Sequence, residues 1–522
     1  MSVIKKTLSS AFRVKPVVAA IAASAALMAP HAQAVNVSQN GLGEVLLFPY
    51  YTVNNGFDTN ISITNTSENA VVFKIRFREA HNSRDARDFN VVLSPYDVWN
   101  ATVTESPDGT VARLVTGDTS CTAGELLPLN DGTGRRYVDF TNFDYITQTG
   151  VGPNDGGPTD LSRTKEGYIE VIQMGHQVPT NPGAASPDLT FAAASVGHNS
   201  KHVDGVPRDC NAVRAAFSTA NIAATQAAFF EPINVLKGTA SLVKATEGKA
   251  ISYDPTVLAN FYNPGAGALD GAGIAGQNLV VIPESTQPGL HQANPPLAEV
   301  IDNVAGTPVI DDFAAGPNAV SAVLSRTAVV NQFSVNPVNN AKTDWVVTFP
   351  TKYYYVDSRE PTAPASNVGD ARVAANAPFD DASTFQSVPV GCSDVQVGFR
   401  FFDREEDERV SVSGVGFSPA PPGVPADTIC YESQVITFAN SSVFGSPLQA
   451  NVAVDAAGYN SGWMRLNFTN AGDLTGNTAG AVFTGLPVIG FAATTLENGM
   501  NASAVLNYGM GWSHGYVTSI AP

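Results

Sequence analysis

The chain has 522 residues and is sparsely charged, with 47 Asp and Glu against 29 Lys and Arg and 15% charged residues in all, where a soluble domain carries about 25%. A net charge of −18 repels polyphosphate backbones, and the densest basic segment, Arg76 to Arg87, is interleaved with Glu79 and Asp85; nucleic acid, which needs a clustered basic surface, is set aside. The 45 glycines and 34 prolines fall short of the roughly 25 to 30% that marks low-complexity disorder, so a packed core is expected.

At the start of the chain Lys5, Lys6, Arg13 and Lys15 lead into an apolar run from Val17 to Met28 and the small-residue pattern Ala32-Gln33-Ala34. This is the grammar of a secretory signal peptide covering residues 1–34. The run is too short and wrongly flanked for a membrane span, and no later stretch of about 18 apolar residues exists. Cleavage would remove four positive charges and no carboxylate, taking the net charge from −18 to −22. The expectation is an exported protein of the cell surface or extracellular space, with the periplasm as the alternative and no transmembrane segment.

Period-two alternation dominates the rest of the chain. Val71, Phe73, Ile75 and Phe77 share one face while Val72, Lys74, Arg76 and Arg78 share the other, which reads as a half-buried strand. Asn60 to Thr64 and Phe89 to Leu93 alternate likewise, and Asn55-Gly56 and Asp108-Gly109 supply hairpin-type turn residues, so a meander is predicted. Further strand candidates are Tyr168 to Met174, Thr239 to Val243, Ala319 to Val335, Trp345 to Phe349, Gln434 to Phe438, Trp463 to Phe468 and Val488 to Ala493. Val395, Val397, Phe399 and Phe401 run into a charged tip, Asp403 to Arg409, as a hairpin would. Helix signal is thin: the Ala-rich Asn211 to Phe230, and a short helical turn at Asp254 to Phe261. Gln177 to Asp188, Asn263 to Asn278, Ser358 to Asp380 and Ser418 to Ala426 read as loops.

The fold class that results is mostly β: antiparallel sandwich domains of Greek-key or jelly-roll type, with long Gly/Pro-rich loops and little helix. The domains are placed at 35–225 (a β-sandwich), 226–390 (a loop-rich β region) and 391–522 (a C-terminal β domain able to exchange strands with the first). Cys121, Cys210, Cys392 and Cys430 all lie in the exported part, where an even count favours disulfides. Of three possible pairings, Cys121 with Cys210 and Cys392 with Cys430 keeps each bridge inside one domain.

Motifs with chemical meaning fail on context. Gly511-Trp512-Ser513-His514-Gly515 fits a nucleophile elbow, but only seven residues come after it, with no Asp or His among them. Gly271 to Gly276 matches G-x-G-x-x-G but comes after loop sequence rather than a strand. His198 and His202, with Asp204 and Asp209 nearby, have zinc-like spacing only on a helix, and Gly197, Asn199, Ser200 and Gly205 read as loop. The acidic tip Asp403 to Arg409, Asn130-Asp131-Gly132 and Asn154-Asp155-Gly156 could offer oxygen ligands; calcium is the ion this composition would take, with no other cofactor implied. Tyr50, Tyr51, Tyr353, Tyr354 and Tyr355 would serve either as an aromatic platform for a sugar or partner or as core tyrosines. An Asp/Glu pair acting on a glycoside stays open, since carboxylate spacing is invisible in sequence.

The segments Leu46-Leu47-Phe48-Pro49-Tyr50-Tyr51, Asp344 to Lys352, Gly462 to Leu466 and Leu486 to Phe491 resemble a group of uncharacterised exported proteobacterial surface proteins. The resemblance implies bacterial export and no activity. The function expected is therefore a structural or binding role at the surface, in an assembled layer or matrix, without catalysis, with self-association, surface components or glycans as partners. A secreted polysaccharide-active hydrolase and a carbohydrate-binding protein are the alternatives.

Overall fold

The computed structural model describes residues 34–124, 129–130, 134–146, 155, 157–264, 275–301, 306–356, 377–379, 392–410, 428–454, 460–468, 471–501 and 504–521. Two seven-stranded sheets form a first sandwich. Sheet I runs in the order Asn36–Val37, Thr256–Ala259, Val45–Thr52, Glu166–Gln177, Ala70–Glu79, Asp85–Leu93, Cys121–Ala123. Sheet II runs Lys249–Tyr253, Leu236–Lys244, Asp58–Asn65, Val98–Glu105, Ala112–Thr116, Arg136–Asp139, Leu129–Asn130. Every pairing in both is antiparallel. The alternation places Phe73, Ile75 and Phe77 of sheet I against Ile61, Ile63, Trp99 and Leu242 of sheet II in one core.

Two further sheets make a second sandwich. Sheet III has the order Glu408–Val410, Val395–Asp403, Ser461–Phe468, Ala328–Ser334, Gly515–Val517, with Thr428–Ile429 also paired to Val395–Asp403. Sheet IV has the order Ala450–Val452, Ser433–Phe438, Lys342–Thr348, Ile489–Asn501, Ala504–Ser513, its one parallel pairing lying between the first two. Phe333, Trp345, Val347, Phe401, Phe438 and Met464 fill the space between them, with Phe333 stacked on Phe438 at 5.0 Å. The mostly β, antiparallel sandwich class read from the sequence is the class observed. Strands from 226–390 enter both sandwiches: Leu236–Lys244 and Thr256–Ala259 the first, Ala328–Ser334 and Lys342–Thr348 the second.

The central strands of sheet IV are buried on both faces, whereas its edge strand Ala504–Ser513 is half-exposed from Leu506 onward. Trp345, Val347 and Ala492 point into the second core, while Val346, Phe491 and Ala493 join the core of the first sandwich. Ala504–Ser513 approaches Lys249–Tyr253 closely. A Cβ on Gly509 would stand 2.3 Å from the Ala250 carbonyl oxygen, and one on Gly511 2.5 Å from that of Ser252, so the glycine-rich Tyr508-Gly509-Met510-Gly511 is a packing requirement. Pro49 sits inside a central strand, where it lacks a ladder donor. The register with Glu166–Gln177 shifts between Gly167 and Ile169, opposite it, and absorbs the missing bond.

Several expectations need correction. Ala319 to Leu324, expected as strand, lies in a helix, Gly316–Leu324, with Pro317 in its first turn; an apolar run without alternation does not distinguish a buried helix from a strand. Asp254 to Phe261, expected as a helical turn, contains the strand Thr256–Ala259, held by ladder pairing to Val45–Leu47 on one side and Asn36–Val37 on the other. Asn55-Gly56, both at positive φ, carries the chain from sheet I to sheet II rather than closing a hairpin, so the meander is interrupted, whereas Asp108-Gly109 does join two paired strands. The Ala-rich stretch gives two short helices, Cys210–Ala216 and Ile222–Ala227, the first capped by Asp209. The loop 418–426 lies outside the described residues, as do 265–274 and most of 358–380.

Candidate functional site

The largest departure from the sequence reading is on Ala70–Glu79, which is buried along its whole length. Lys74, Arg76 and Arg78, expected on a solvent face, are 1%, 1% and 4% exposed. The segment 283–288 lies over them. Lys74 Nζ donates to Pro283 O and Ser285 O, both 2.7 Å, and pairs with Asp88 at 2.9 Å. Arg76 Nη1 donates to Pro288 O at 3.1 Å. Arg78 reaches Glu170 at 3.2 Å, Ser83 O at 2.8 Å and the Tyr353 hydroxyl at 3.1 Å. Main-chain carbonyls and carboxylates thus satisfy a charged stripe that burial alone would make costly.

The stripe continues into a second cluster. Arg163, in the turn Leu161–Lys165, grips Glu79 through Nε at 2.6 Å and Nη2 at 2.9 Å, and Asp155 through Nη1 at 2.9 Å and Nη2. Glu79 also accepts the backbone amides of His81, Asn82 and Arg84. Burial pushes the Glu79 and Asp155 carboxyls up, but Arg163 outweighs it: Glu79 is held below its ordinary value and Asp155 at about 2. Asp155 is therefore committed to an ion pair with Arg163.

Above this cluster, where the sandwiches meet, His81, Asp160, Arg163, Glu166, Tyr431 and Leu448 line a cleft of about 280 Å³. The His81 and Tyr431 rings meet edge to face at 4.8 Å. Glu166 accepts from Tyr50 Oη at 2.7 Å and from Ser446 Oγ at 2.9 Å, and burial pushes its carboxyl up to about 7. Asp160, bonded by the Ser162 hydroxyl and amide, is held below the usual carboxylate range. The cleft thus holds one carboxyl near protonation and one ionised.

A concavity of about 730 Å³ lies on the outer face of sheet II. Asn60, Ser62, Asn100, Thr102, Thr239 and Ser241 alternate with core residues along three adjacent strands and present hydroxyls and amides, with Asp58, Asp118 and Arg135 on the wall. Thr102 Oγ1 donates to Asn60 Oδ1 at 2.7 Å.

Cys121 pairs with Cys210, tying Cys210–Ala216 to the edge of sheet I, and Cys392 pairs with Cys430. Among the described residues the sole cluster of His, Cys, Asp and Glu with metal-binding spacing is Cys392, Asp394 and Cys430, whose sulfurs are spent in that disulfide. The tyrosine platform does not exist: Tyr50, Tyr51, Tyr353, Tyr354 and Tyr355 are at most 2% exposed. Tyr355 bonds Asn318 and Ser321, and Tyr51 donates to Thr164 O.

Ser513 and Gly515 belong to two strands rather than a strand-to-helix elbow. His514 Nε2 donates to Val346 O at 2.9 Å while Nδ1 accepts from Asn331 at 3.1 Å, so no nitrogen is left to act as a base. His198 lies in the helix Val196–Ser200 and His202 in a strand, where it contacts Asp97 at 3.5 Å. At the acidic tip Asp403 accepts the amides of Glu405 and Asp407, and Glu408 pairs with Arg400. Gly271 to Ile274, Asp131 and Asn154 lie outside the described residues. Sequence reasoning missed Glu79, Asp160, Arg163 and Glu166; the available signal was the concentration of charge in Lys74 to Arg87 and Asp160 to Glu166 of a charge-poor chain. No protein-family model, curated protein or solved structure matches the chain.

Proposed function

We propose that the protein is exported and serves at the cell surface or in the extracellular space as a binding or structural protein, with the outer face of sheet II as its contact surface for an uncharged, hydroxyl-rich polymer. The 730 Å³ concavity carries the reading. Short hydroxyl and amide side chains on a rigid sheet match the donors and acceptors of a polysaccharide, while two carboxylates, Asp58 and Asp118, against one cation, Arg135, together with the net negative charge disfavour anionic polymers. The signal-peptide pattern and two disulfides support export. Among the described residues no helix is long and apolar enough to cross a membrane.

The test combines fractionation of cells expressing the full chain with binding of the purified protein to a panel of neutral polysaccharides. At least one glycan should bind, and Thr102→Val with Ser241→Val should weaken it by about tenfold, the loss expected when ligand hydroxyls lose their partners. A free periplasmic monomer that binds no glycan, or binding unchanged in the double variant, ends the proposal.

One observation favours a second reading, a secreted polysaccharide-active hydrolase: Glu166 and Asp160 share a cleft with their carboxyls pushed in opposite directions, as an acid and a base on a glycoside require. Reducing ends released from a polysaccharide by the wild type and lost in Glu166→Gln would support it. A wild type that releases none would remove it.

A further inference from the structure

We infer that a small monocarboxylate binds between the two sandwiches on the guanidinium of Arg326, a site independent of the sheet II face. Arg326 is 6% exposed. Its Nη1 donates to Val323 O at 3.1 Å and Ser325 O at 2.8 Å, and its guanidinium lies over the Tyr516 ring at 4.0 Å. Those contacts consume one nitrogen and one face. The Nε and Nη2 edge has no acceptor among the described residues, and Arg326 makes no ion pair there. Arg76, Arg78 and Arg163, equally buried, each reach a carboxylate. Arg326 thus has no counter-charge among the described residues, and its free edge opens on cavity space rather than being sealed in packed protein, as the Arg76 Nε is.

The free edge has the shape of a ligand site. Nε–H and Nη2–H are parallel donors, the fork that accepts a carboxylate through two bonds. Arg326 and Tyr516 together line two cavities, one of about 260 Å³ whose wall mixes Val37, Val300, Ile301 and Val323 with Asn36, Gln39 and Thr518, and one of about 150 Å³ on the side of Pro49 and Val488. Burial lowers the guanidinium only to about 10, so it stays charged at neutral pH. Glu299 stands on the wall of the larger cavity and Asp254 on that of the smaller. Neither pairs with Arg326, and both would repel a second negative charge. One anionic head, with a short body set against the aliphatic side chains of a mixed wall, is what these cavities admit.

Butyrate is the probe, titrated calorimetrically into the protein with butyramide as the uncharged isostere and inorganic phosphate as the competing oxyanion. Butyrate should bind saturably and at least about tenfold more tightly than either control, and Arg326→Gln should lose that margin. Because Arg326 is buried, Ile301→Trp, at a position 45% exposed on the cavity wall, provides a second variant that blocks entry while leaving Arg326 in place; it should abolish butyrate binding with an unchanged circular-dichroism spectrum. Equal affinity for butyrate and butyramide, no butyrate binding, tighter binding of phosphate, or binding that survives either variant would overturn the assignment.

Discussion

Replacing Arg163 by Met tests whether the buried charges act as a paired network. Arg163, Glu79 and Asp155 have side chains with no exposed surface. The substitution keeps much of the side-chain volume but deletes one positive charge and four hydrogen bonds to two carboxylates. Breaking a buried pair by removing one partner costs about 3 to 5 kcal/mol, and two stranded carboxylates place this case at the upper end.

The pH dependence separates lost pairing from lost packing. In the wild type Asp155 is held at about 2 against an ordinary 3.8. Its depressed value gives a stabilising contribution, of order 2 kcal/mol, that is fully present above 3.8 and lost as pH falls through about 2. In the variant Arg84 stands 3.9 Å from Asp155 and forms no short pair with it to replace Arg163, so burial dominates and both carboxyls rise above their unfolded values. The penalty is then full at pH 7 and shrinks on acidification as the folded state takes up protons. Urea unfolding at pH 7 and pH 4.5 should show the difference narrowing from about 4 kcal/mol to roughly half that. A difference below about 1 kcal/mol at pH 7, or one that widens at the lower pH, would refute the pairing argument.

Three further outcomes are expected. Burial pushes the His514 imidazole from 6.5 down to about 4, so the unfolded chain binds the extra proton in that window; stability should rise with pH between 4 and 6.5 by about 3 kcal/mol from this group, and His514→Gln should flatten that slope in urea titrations. Gly509→Ala, with its new methyl facing the Ala250 carbonyl, should cost roughly 1 to 3 kcal/mol, while Gly117→Ala, which meets nothing within 4 Å, leaves the melting curve in place. Replacing Cys121 and Cys210 by Ser opens a link of sequence separation 89 and should cost about 2 to 5 kcal/mol, visible as a denaturation midpoint below that of the wild type when both are measured without reductant, so that the bridge between Cys392 and Cys430 stays closed in each.

The strands were legible because one-sided burial writes a period of two into the chain: Asp58–Asn65 alternates half-buried and buried residues throughout. That signal fails where both faces are covered. Ala70–Glu79 carries Lys74, Arg76 and Arg78 on a face that sequence assigns to water, because the carbonyls that receive them belong to 283–288, some 210 residues further on. The disulfide pairs were reachable from proximity along the chain. The cleft was not, since His81 and Glu166 come from one sandwich and Tyr431 and Leu448 from the other.

The shared sheet explains why the cavities lie where they do. Sheet IV is hydrogen-bonded within the second sandwich, yet Val346, Val435, Phe491 and Ala493 on its far face complete the core of the first. Cut apart, the sandwiches would each expose an apolar wall, so their docking belongs to folding rather than to later association. Flat sheet faces can meet this closely only along part of their length, and the gaps at the margins are the His81–Tyr431 cleft and the two Arg326 cavities. A ligand in either margin touches both sandwiches and therefore stabilises their junction by its binding free energy. A polymer on the outer face of sheet II touches the first sandwich alone. Ligand-induced protection of amides at the contact between Ala504–Ser513 and Lys249–Tyr253 is accordingly expected from the Arg326 site and not from the outer face, because only the former must be released before that contact can open.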